Sequence, residues 1–370
     1  MELLSIWQQK KENLKIVNWL YDLGSELRLG ELPQFRKKYN NRFVTRDSLM
    51  VDKQDILDIE LCHRHFQADY YLKDGKSHVE NVKSIRMRCG HRLCPICETI
   101  KARQEYTRLT WKMNQIKDDY DFFFLTLTLP NVHTKFDNLI DIMNNCSDDM
   151  FKVIQGTDKK HYRCGGFYST WEVTYSKKKG FHPHLHTIIA IPKGYVKEVK
   201  EDRKKSIKSL TINNGFNDYV FSQYSLVELY RKLLEKHAPG VYTDYSYIHL
   251  DFRKCYNIEN DVRELCKYFI DFTALPDKDT FILYAQSIYG KKRKKKRGCF
   301  KWTEADEEQW KQFIDELHEE QQRIVQNKNS IRVVFTFDNY NIDVLTYETV
   351  LDYLKQGQTF RLKFKDIQNE

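Results

Sequence analysis

Short apolar runs rich in aromatic and β-branched residues predict strands in the middle of the chain. One run spans 121–130 and is closed by a proline, and a second run spans 165–175. A third run, 181–191, follows the polar stretch 176–180, which is typical of a turn between antiparallel strands. The pattern therefore predicts a β-hairpin beside a further apolar strand.

Apolar residues at helical spacing predict helices on both sides of these strands. The expected elements are, in order, a helix pair within 1–60, helices at 102–116, 225–237, 303–326 and 347–356, strands at 245–253 and 331–337, and a polar insertion at 196–218. Mixed helices and antiparallel strands are typical of an α+β fold.

Histidines recur at every second position of the third run. Side chains alternate along a strand, so His182, His184 and His186 project from the same side. Two neighbouring imidazoles on a rigid strand supply half of a metal site. If Glu172 of the preceding strand faces them, the set becomes two histidines and one carboxylate, which suits a divalent cation. The alternative is an edge strand whose histidines and glutamate face solvent.

A helix is predicted from 257 to 272, and Asn257 can cap its start. Glu264 and Tyr268 are four residues apart and therefore share one face of this helix. That face borders the apolar stripe of Ile258, Val262, Leu265, Phe269 and Phe272. Because the chain has 23 tyrosines and tyrosines at such borders usually pack, Tyr268 alone is weak support for a nucleophile.

Three cysteines within nine residues favour a structural zinc site. Cys89, Cys94 and Cys97 form a four-residue gap followed by a Cys-x-x-Cys knuckle. The possible fourth ligands lie upstream, at Cys62, His63 and His65. Buried free thiols are the alternative, and a redox pair is less favoured because no βαβ pattern surrounds the knuckle.

The composition limits the classes of function that this protein can have. The 370 residues correspond to about two to three domains, with 61 Lys and Arg against 52 Asp and Glu and a net charge of +9. This balance favours a polyanionic partner. An odd number of cysteines, nine, fits metal binding in a reducing cytoplasm better than disulfides. The longest apolar runs are too short to span a bilayer, so a membrane location is not expected.

A basic run follows the predicted strands and helices of the middle region. Its seven members are Lys291, Lys292, Arg293, Lys294, Lys295, Lys296 and Arg297. Such a run is usually a solvated loop, and it is also a candidate for contacting the phosphates of a polyanionic partner.

The ordered set of blocks resembles a known enzyme family. Residues 123–131, 171–177 leading into 182–186, and 264–268 resemble the HUH endonucleases. They are most similar to the single-tyrosine replication initiators of small Gram-positive rolling-circle plasmids, over about 85–300. The resemblance implies an α+β HUH core, with an antiparallel sheet of the ferredoxin or RRM type flanked by helices.

The resemblance also implies roles for the candidate residues. His184, His186 and Glu172 are expected to hold Mn²⁺ or Mg²⁺, and Tyr268 to attack DNA and form a 5′-phosphotyrosine. Glu264 stands where similar initiators carry a glutamate, and we expect it to act as a general base during termination.

The same resemblance favours Cys62 as the fourth zinc ligand and makes Lys267 a candidate for phosphate contact. The expected division has four parts. Residues 1–60 form a helical region, and 61–118 form a zinc-binding element with its helix. Residues 119–300 form the HUH nuclease domain, and 301–370 form a small C-terminal α/β extension of unknown role.

The expected function is nicking of a plasmid double-strand origin, which begins and ends rolling-circle replication. Origin DNA, a host helicase and a DNA polymerase are the implied partners, and a homodimer is possible from the C-terminal region. Two other classes stay open: a single-tyrosine transposase or relaxase, and a non-catalytic zinc-containing DNA-binding protein.

Overall fold

The structure is a computed structural model. It describes residues 3–26, 53–62, 65–73, 76–84, 89–155, 164–194, 196–202, 207–213, 218–241, 249–266, 271–326 and 331–336. The helices in these ranges are α1 (Leu3–Glu26), α2 (Lys53–Leu61), α3 (Pro95–Ile116), α4 (Asp137–Gln155), α5 (Gln223–His237), α6 (Ile258–Leu265), α7 (Lys278–Ile288) and α8 (Glu304–Gln326). The strands are β1 (His65–Lys73), β2 (Lys76–Ser84), β3 (Tyr120–Thr128), β4 (Gly166–Ser176), β5 (Gly180–Pro192), β6 (Val196–Asp202), β7 (Ile207–Asn213), β8 (Asp218–Ser222), β9 (Leu250–Lys254), β10 (Lys294–Gly298) and β11 (Ile331–Thr336).

Two compact units are formed, one by Met1–Lys101 with Glu308–Glu370 and the other by Ala102–Glu307. The second unit contains a five-stranded antiparallel sheet in the order β10-β4-β5-β3-β9. Helices flank this sheet, so the expected α+β class with an antiparallel sheet is confirmed.

Alternation along the central strands assigns side chains to the two faces of the sheet. Phe124, Tyr168 and Ile188 project to one face and pack with residues of α3 and α6 in a single buried cluster. Phe167 projects to the opposite face, where its ring stacks on Phe151 of α4 with centroids 3.7 Å apart. Burial on both faces fixes the register of the strands, because a slip of one residue would exchange the two sets.

The predicted hairpin is confirmed as β4 and β5. Its turn ends at Gly180, which has a φ of +80°, and a Cβ there would lie 2.2 Å from the carbonyl oxygen of Val132. Only glycine fits this turn without moving the backbone.

The first unit contains α1, α2 and a sheet in the order β11-β1-β2. Asn13 of α1 donates its side-chain amide to the carbonyl of Ile59 in α2 at 2.7 Å, and Lys10 donates to the carbonyl of Cys62 at 2.9 Å. The strand predicted at 331–337 is confirmed as β11, and it pairs with β1.

The polar insertion predicted at 196–218 contains regular strands. These residues contribute β6 and β7, which form a separate antiparallel sheet with β8. The helix predicted at 347–356 lies outside the described residues. Within the described ranges, no helix combines the length and apolar character needed to cross a membrane.

Candidate active site

The β4–β5 pairing places a carboxylate beside the histidines. Glu172 lies directly opposite His184 in the register, and Thr170 lies opposite His186. Glu172 Oε2 nevertheless reaches diagonally to His186 Nε2, at 2.8 Å. The prediction that Glu172 faces the histidine strand is therefore confirmed.

His186 is held from both ring nitrogens. Its Nδ1 lies 3.1 Å from the hydroxyl of Thr126 on β3, while Nε2 meets Glu172, and its exposed fraction is only 6%. The rings of His182 and His184 have centroids 4.1 Å apart, and those of His184 and His186 are 5.8 Å apart. The three imidazoles therefore form one row along β5.

Helix α6 brings a second carboxylate to the same face of the sheet. Asn257 caps this helix, because its side chain accepts a hydrogen bond from the backbone N–H of Asn260. Val262 and Leu265 are buried against the sheet. Glu264, which lies between them in sequence, is half-buried and turned toward the candidate metal ligands.

The closest group of possible ligands differs in one member from the expected set. Glu172, His186 and Glu264 each offer a ligand atom, and these atoms all lie within 4.8 Å of one another. His184 is a neighbour of this group rather than a member of it. Sequence reasoning assigned Glu264 to catalysis through its helical position, but it gave no signal that the carboxylate lies among the ligand atoms.

A cavity of about 540 Å³ opens beside this group. It is lined by Phe124, Thr126, His186, Asp251, Arg253, Tyr256, Asn257, Asn260, Asp261 and Glu264. Arg253 pairs with the buried Asp261 and, more loosely, with Asp251 at 3.8 Å. Sequence reasoning missed these β9 and α6 residues, because no motif marks them.

The four expected cysteines form a second possible metal centre, in the first unit. The sulfurs of Cys62, Cys89, Cys94 and Cys97 all lie within 4.8 Å of one another. Four thiolates around zinc at ~2.3 Å would be about 3.8 Å apart, and the Cys62–Cys97 and Cys89–Cys97 separations are 3.4 and 3.6 Å. The geometry therefore fits a tetrahedral zinc site.

The surroundings of the sulfurs also suit a metal-bound thiolate. The backbone N–H of Gly90 donates to Cys97 at 3.3 Å, and that of Cys97 donates to Cys94 at 3.5 Å. Burial raises the pKa of the Cys94 thiol well above its usual value. A bound cation would offset that penalty, since coordinated thiols are deprotonated.

The side chains of the two upstream histidines lie outside the described part of the structure. His63 is not described at all, and His65 begins β1, of which only the backbone is described. Among the described residues, Cys62 supplies the fourth sulfur of the cluster.

The basic run leads into the edge strand β10, and four of its seven charges are already paired. Lys294 and Lys296 contact Glu105 of α3 at 2.7 and 3.0 Å, Lys295 contacts Asp148, and Lys291 contacts Asp141. The lysines hold the pKa of Glu105 down at about 2, against the opposing effect of burial. Lys292 and Arg297 are exposed, and Arg293 is half-buried.

Two of the predicted site residues lie outside the described part of the structure. Lys267 and Tyr268 lie outside the described residues, which stop at Cys266 and resume at Asp271. The prediction of one helix from 257 to 272 is wrong, because α6 ends at Leu265 with Cys266 as its C-cap and Phe272 begins a separate 3-10 turn. Tyr268 follows Cys266 by two residues in the sequence.

A five-stranded antiparallel sheet that presents carboxylates and imidazoles on one face defines an α+β protein with a candidate metal site. A family model described as "Replication protein" matches residues 81–344, which is more than half of the chain, so the chain belongs to this family of replication proteins. It is also similar to "Protein rep" of Staphylococcus aureus, with 34% identity over 164 residues that cover 43% of this chain and 67% of the relative. No solved structure matches the chain. The resemblance to the initiators of rolling-circle plasmids is thereby confirmed.

Proposed function

We propose that this replication protein is a metal-dependent endonuclease and strand transferase that nicks single-stranded DNA at a plasmid origin. The observation that carries the proposal is the gathering of Glu172, His186 and Glu264 on one sheet face, at the helix that leads toward Tyr268. Carboxylates and imidazoles in this number suit one divalent cation and leave room for a phosphate oxygen.

The proposed ligands of Mn²⁺ or Mg²⁺ are Glu172, His184 and His186. Glu172 and His186 are within 2.8 Å of each other, and His184 is the neighbouring imidazole on β5. When bound, the cation supplies a Lewis acid that polarises the scissile phosphate. Thr126 orients the His186 ring from behind through its hydroxyl, as partners of metal-bound histidines commonly do.

The proposed nucleophile is the hydroxyl of Tyr268. Its oxygen forms a bond to phosphorus while the bond from phosphorus to the 3′ oxygen breaks. The phenol loses its proton and the departing 3′ oxygen gains one, which leaves a 5′-phosphotyrosine and a free 3′-hydroxyl. The phosphodiester energy is conserved in the covalent link, and the 3′-hydroxyl can prime a polymerase.

The direct test is formation of a covalent protein–DNA adduct. Single-stranded oligonucleotides tiled over the replicon that encodes the chain are incubated with the full-length protein and Mn²⁺, boiled in detergent and separated on a gel. We expect one strand to yield a band shifted by the mass of its 5′-phosphorylated fragment, and EDTA to abolish it. A complete absence of adduct from every strand would favour a binding protein without nuclease activity.

We further propose that Glu264 acts as a general base when replication terminates. After one round, the regenerated origin must be cleaved again while Tyr268 is occupied. Glu264 is half-buried on the face that carries His186, so its carboxylate can take a proton from a water that attacks the second site. The 3′-hydroxyl released there can attack the phosphotyrosine and close a single-stranded circle.

Glu264→Ala should separate termination from initiation. We expect nearly the wild-type amount of first adduct, with termination slowed by roughly 100-fold or more, so that products longer than one plasmid unit accumulate. Gel analysis of replication products in a cell extract measures both. Glu259→Ala, on the exposed start of α6, is the matched control.

Two results would contradict this role. Unit-length circles at the wild-type yield would remove Glu264 from termination. Loss of Mn²⁺ binding and of the first adduct together would instead make Glu264 a metal ligand, as its distance from Glu172 and His186 also permits.

For the four-cysteine cluster we propose a structural zinc ion held by Cys62, Cys89, Cys94 and Cys97. For DNA contact within the basic run we propose Lys292 and Arg297, since the lysines paired with carboxylates are less available to phosphates. The same proposal includes Lys267, which its sequence position puts next to Tyr268.

A further inference from the structure

The cavity beside the candidate metal ligands has the size of a nucleotide-binding site. Its volume of about 540 Å³ falls within the range of roughly 300–1,000 Å³ that is usual for ligand pockets. His186 and Glu264 form part of its wall, so whatever occupies it lies next to the reacting phosphate of the proposed function.

Tyr256 stands at this cavity with 73% of its surface exposed. The residues on both sides of it are fixed. The backbone N–H of Cys255 donates to the carbonyl of Phe122 at 2.9 Å, and Asn257 is the cap of α6. A single exposed tyrosine is common on protein surfaces, but here a rigid backbone holds the ring at a cavity that adjoins the candidate metal site.

The charges of the cavity disfavour a phosphate and favour a base. The three carboxylates of the lining, those of Asp251, Asp261 and Glu264, face a single arginine. Arg253 is already paired with Asp261, and its guanidinium lies 4.6 Å from the centre of the Phe124 ring. Away from the proposed cation at His186, an anionic group in this space would therefore meet net repulsion, whereas amino groups would find acceptors.

Polar groups at the cavity match the donors of nucleobases. The Asp251 side chain is 55% exposed and offers a carboxylate, which can accept from the amino group of cytosine. Asn260 lies at the cavity with an amide of the type that pairs with adenine. Thymine carries no exocyclic amino group, so its ring N3–H is the one donor that it can offer to these acceptors.

We infer that this cavity holds the nucleobase adjacent to the scissile phosphate, with the Tyr256 ring stacked on its face and with bases that carry an exocyclic amino group preferred. The inference rests on the proposed function, because it places the base of the same strand that Tyr268 cleaves. Stacking would hold the strand before the chemical step, so Tyr256 is a positioning residue rather than a catalytic one.

The test is a scan with abasic nucleotides, read by binding alone. Fluorescence anisotropy in EDTA first identifies the tiled single strand that the full-length protein binds most tightly. Each nucleotide of that strand is then replaced in turn by an abasic one, for the wild type, Tyr256→Ala, Tyr256→Phe and Tyr289→Ala. Tyr289 is the matched control, because it is 47% exposed and lies outside the cavity lining.

We expect one position at which the abasic change weakens wild-type binding by roughly ten-fold or more. Tyr256→Ala should bind the intact strand less tightly than the wild type, by about the same factor. In this variant an abasic nucleotide at that one position should cause no further loss of affinity, while the effects at all other positions should be unchanged. Tyr256→Phe and Tyr289→Ala should match the wild type. At the same position, thymine should bind less tightly than adenine, cytosine or guanine.

The inference would be overturned if the abasic penalty persisted in Tyr256→Ala, or if that variant bound like Tyr289→Ala. Equal binding of thymine would overturn the preference for an amino group. Adduct formation on the same strand is measured separately with Mn²⁺. A protein that binds as expected but forms no adduct would refute the proposed nuclease function while leaving the base site in place.

Discussion

Tyr268→Phe is expected to abolish the covalent protein–DNA adduct and leave single-strand binding unchanged. Removing one hydroxyl eliminates the nucleophile but preserves the aromatic ring. Loss of a nucleophile commonly lowers the rate by several orders of magnitude, so no adduct band should be visible in the time in which the wild type reacts completely. The gel assay with Mn²⁺ measures the adduct, and anisotropy in EDTA measures binding.

Tyr289→Phe serves as the control, because it makes the same chemical change at an exposed tyrosine beyond the candidate site. It should form the adduct at the wild-type rate. An adduct of normal yield from Tyr268→Phe would exclude this residue as the nucleophile and direct attention to the other tyrosines.

His186→Ala is expected to lose both nicking and Mn²⁺ affinity while the zinc content stays at one ion per chain. His186 is buried, and its two ring nitrogens meet Glu172 and Thr126, so its change to alanine removes a ligand whose position is fixed from both sides. Changes in partners of metal ligands already cost about 10–100-fold in affinity, and loss of a ligand should exceed ~100-fold. Titration calorimetry measures Mn²⁺ binding, and elemental analysis measures zinc.

His237→Ala is the matched histidine control. His237 pairs with Asp149 at 2.9 Å, where α5 contacts α4, and takes no part in the candidate site. It should keep Mn²⁺ binding and nicking. If His186→Ala lost zinc as well, the division into a catalytic and a structural metal site would be wrong, and a thermal melt would show whether the fold had been lost.

The helices and strands whose apolar residues recur at regular spacing could be predicted from the sequence. The hairpin of β4 and β5 has alternating apolar residues and a short polar turn, and α6 has both a cap and an apolar stripe. Alternation also placed Glu172 and His186 on one face. It could not tell a directly opposite pair from a diagonal one, because that choice depends on side-chain rotation. The closeness of Glu264 to His186 was not foreseen because it depends on how α6 packs on the sheet.

Contacts between distant parts of the chain explain what the sequence did not predict. Charged residues obscure the strand pattern in β6, so the sequence of 196–218 indicated a polar insertion and no strands. The basic run looked like a solvated loop because its partners, Glu105 and Asp148, are more than 140 residues away. No sequence motif marks Tyr256, because its position at the cavity depends on how β9 and α6 pack together.

The pairing of the basic run bears on the thermodynamics of DNA association. Binding of a polyanion is driven largely by release of condensed cations, at about one ion for each phosphate that a protein cation neutralises. Four of the seven residues already neutralise carboxylates, and a fifth, Arg293, is half-buried. The run would therefore release about two ions, through the exposed Lys292 and Arg297, rather than seven. Its other lysines anchor the edge strand to the domain. The entropy of ion release must therefore come mainly from other cations of this basic chain.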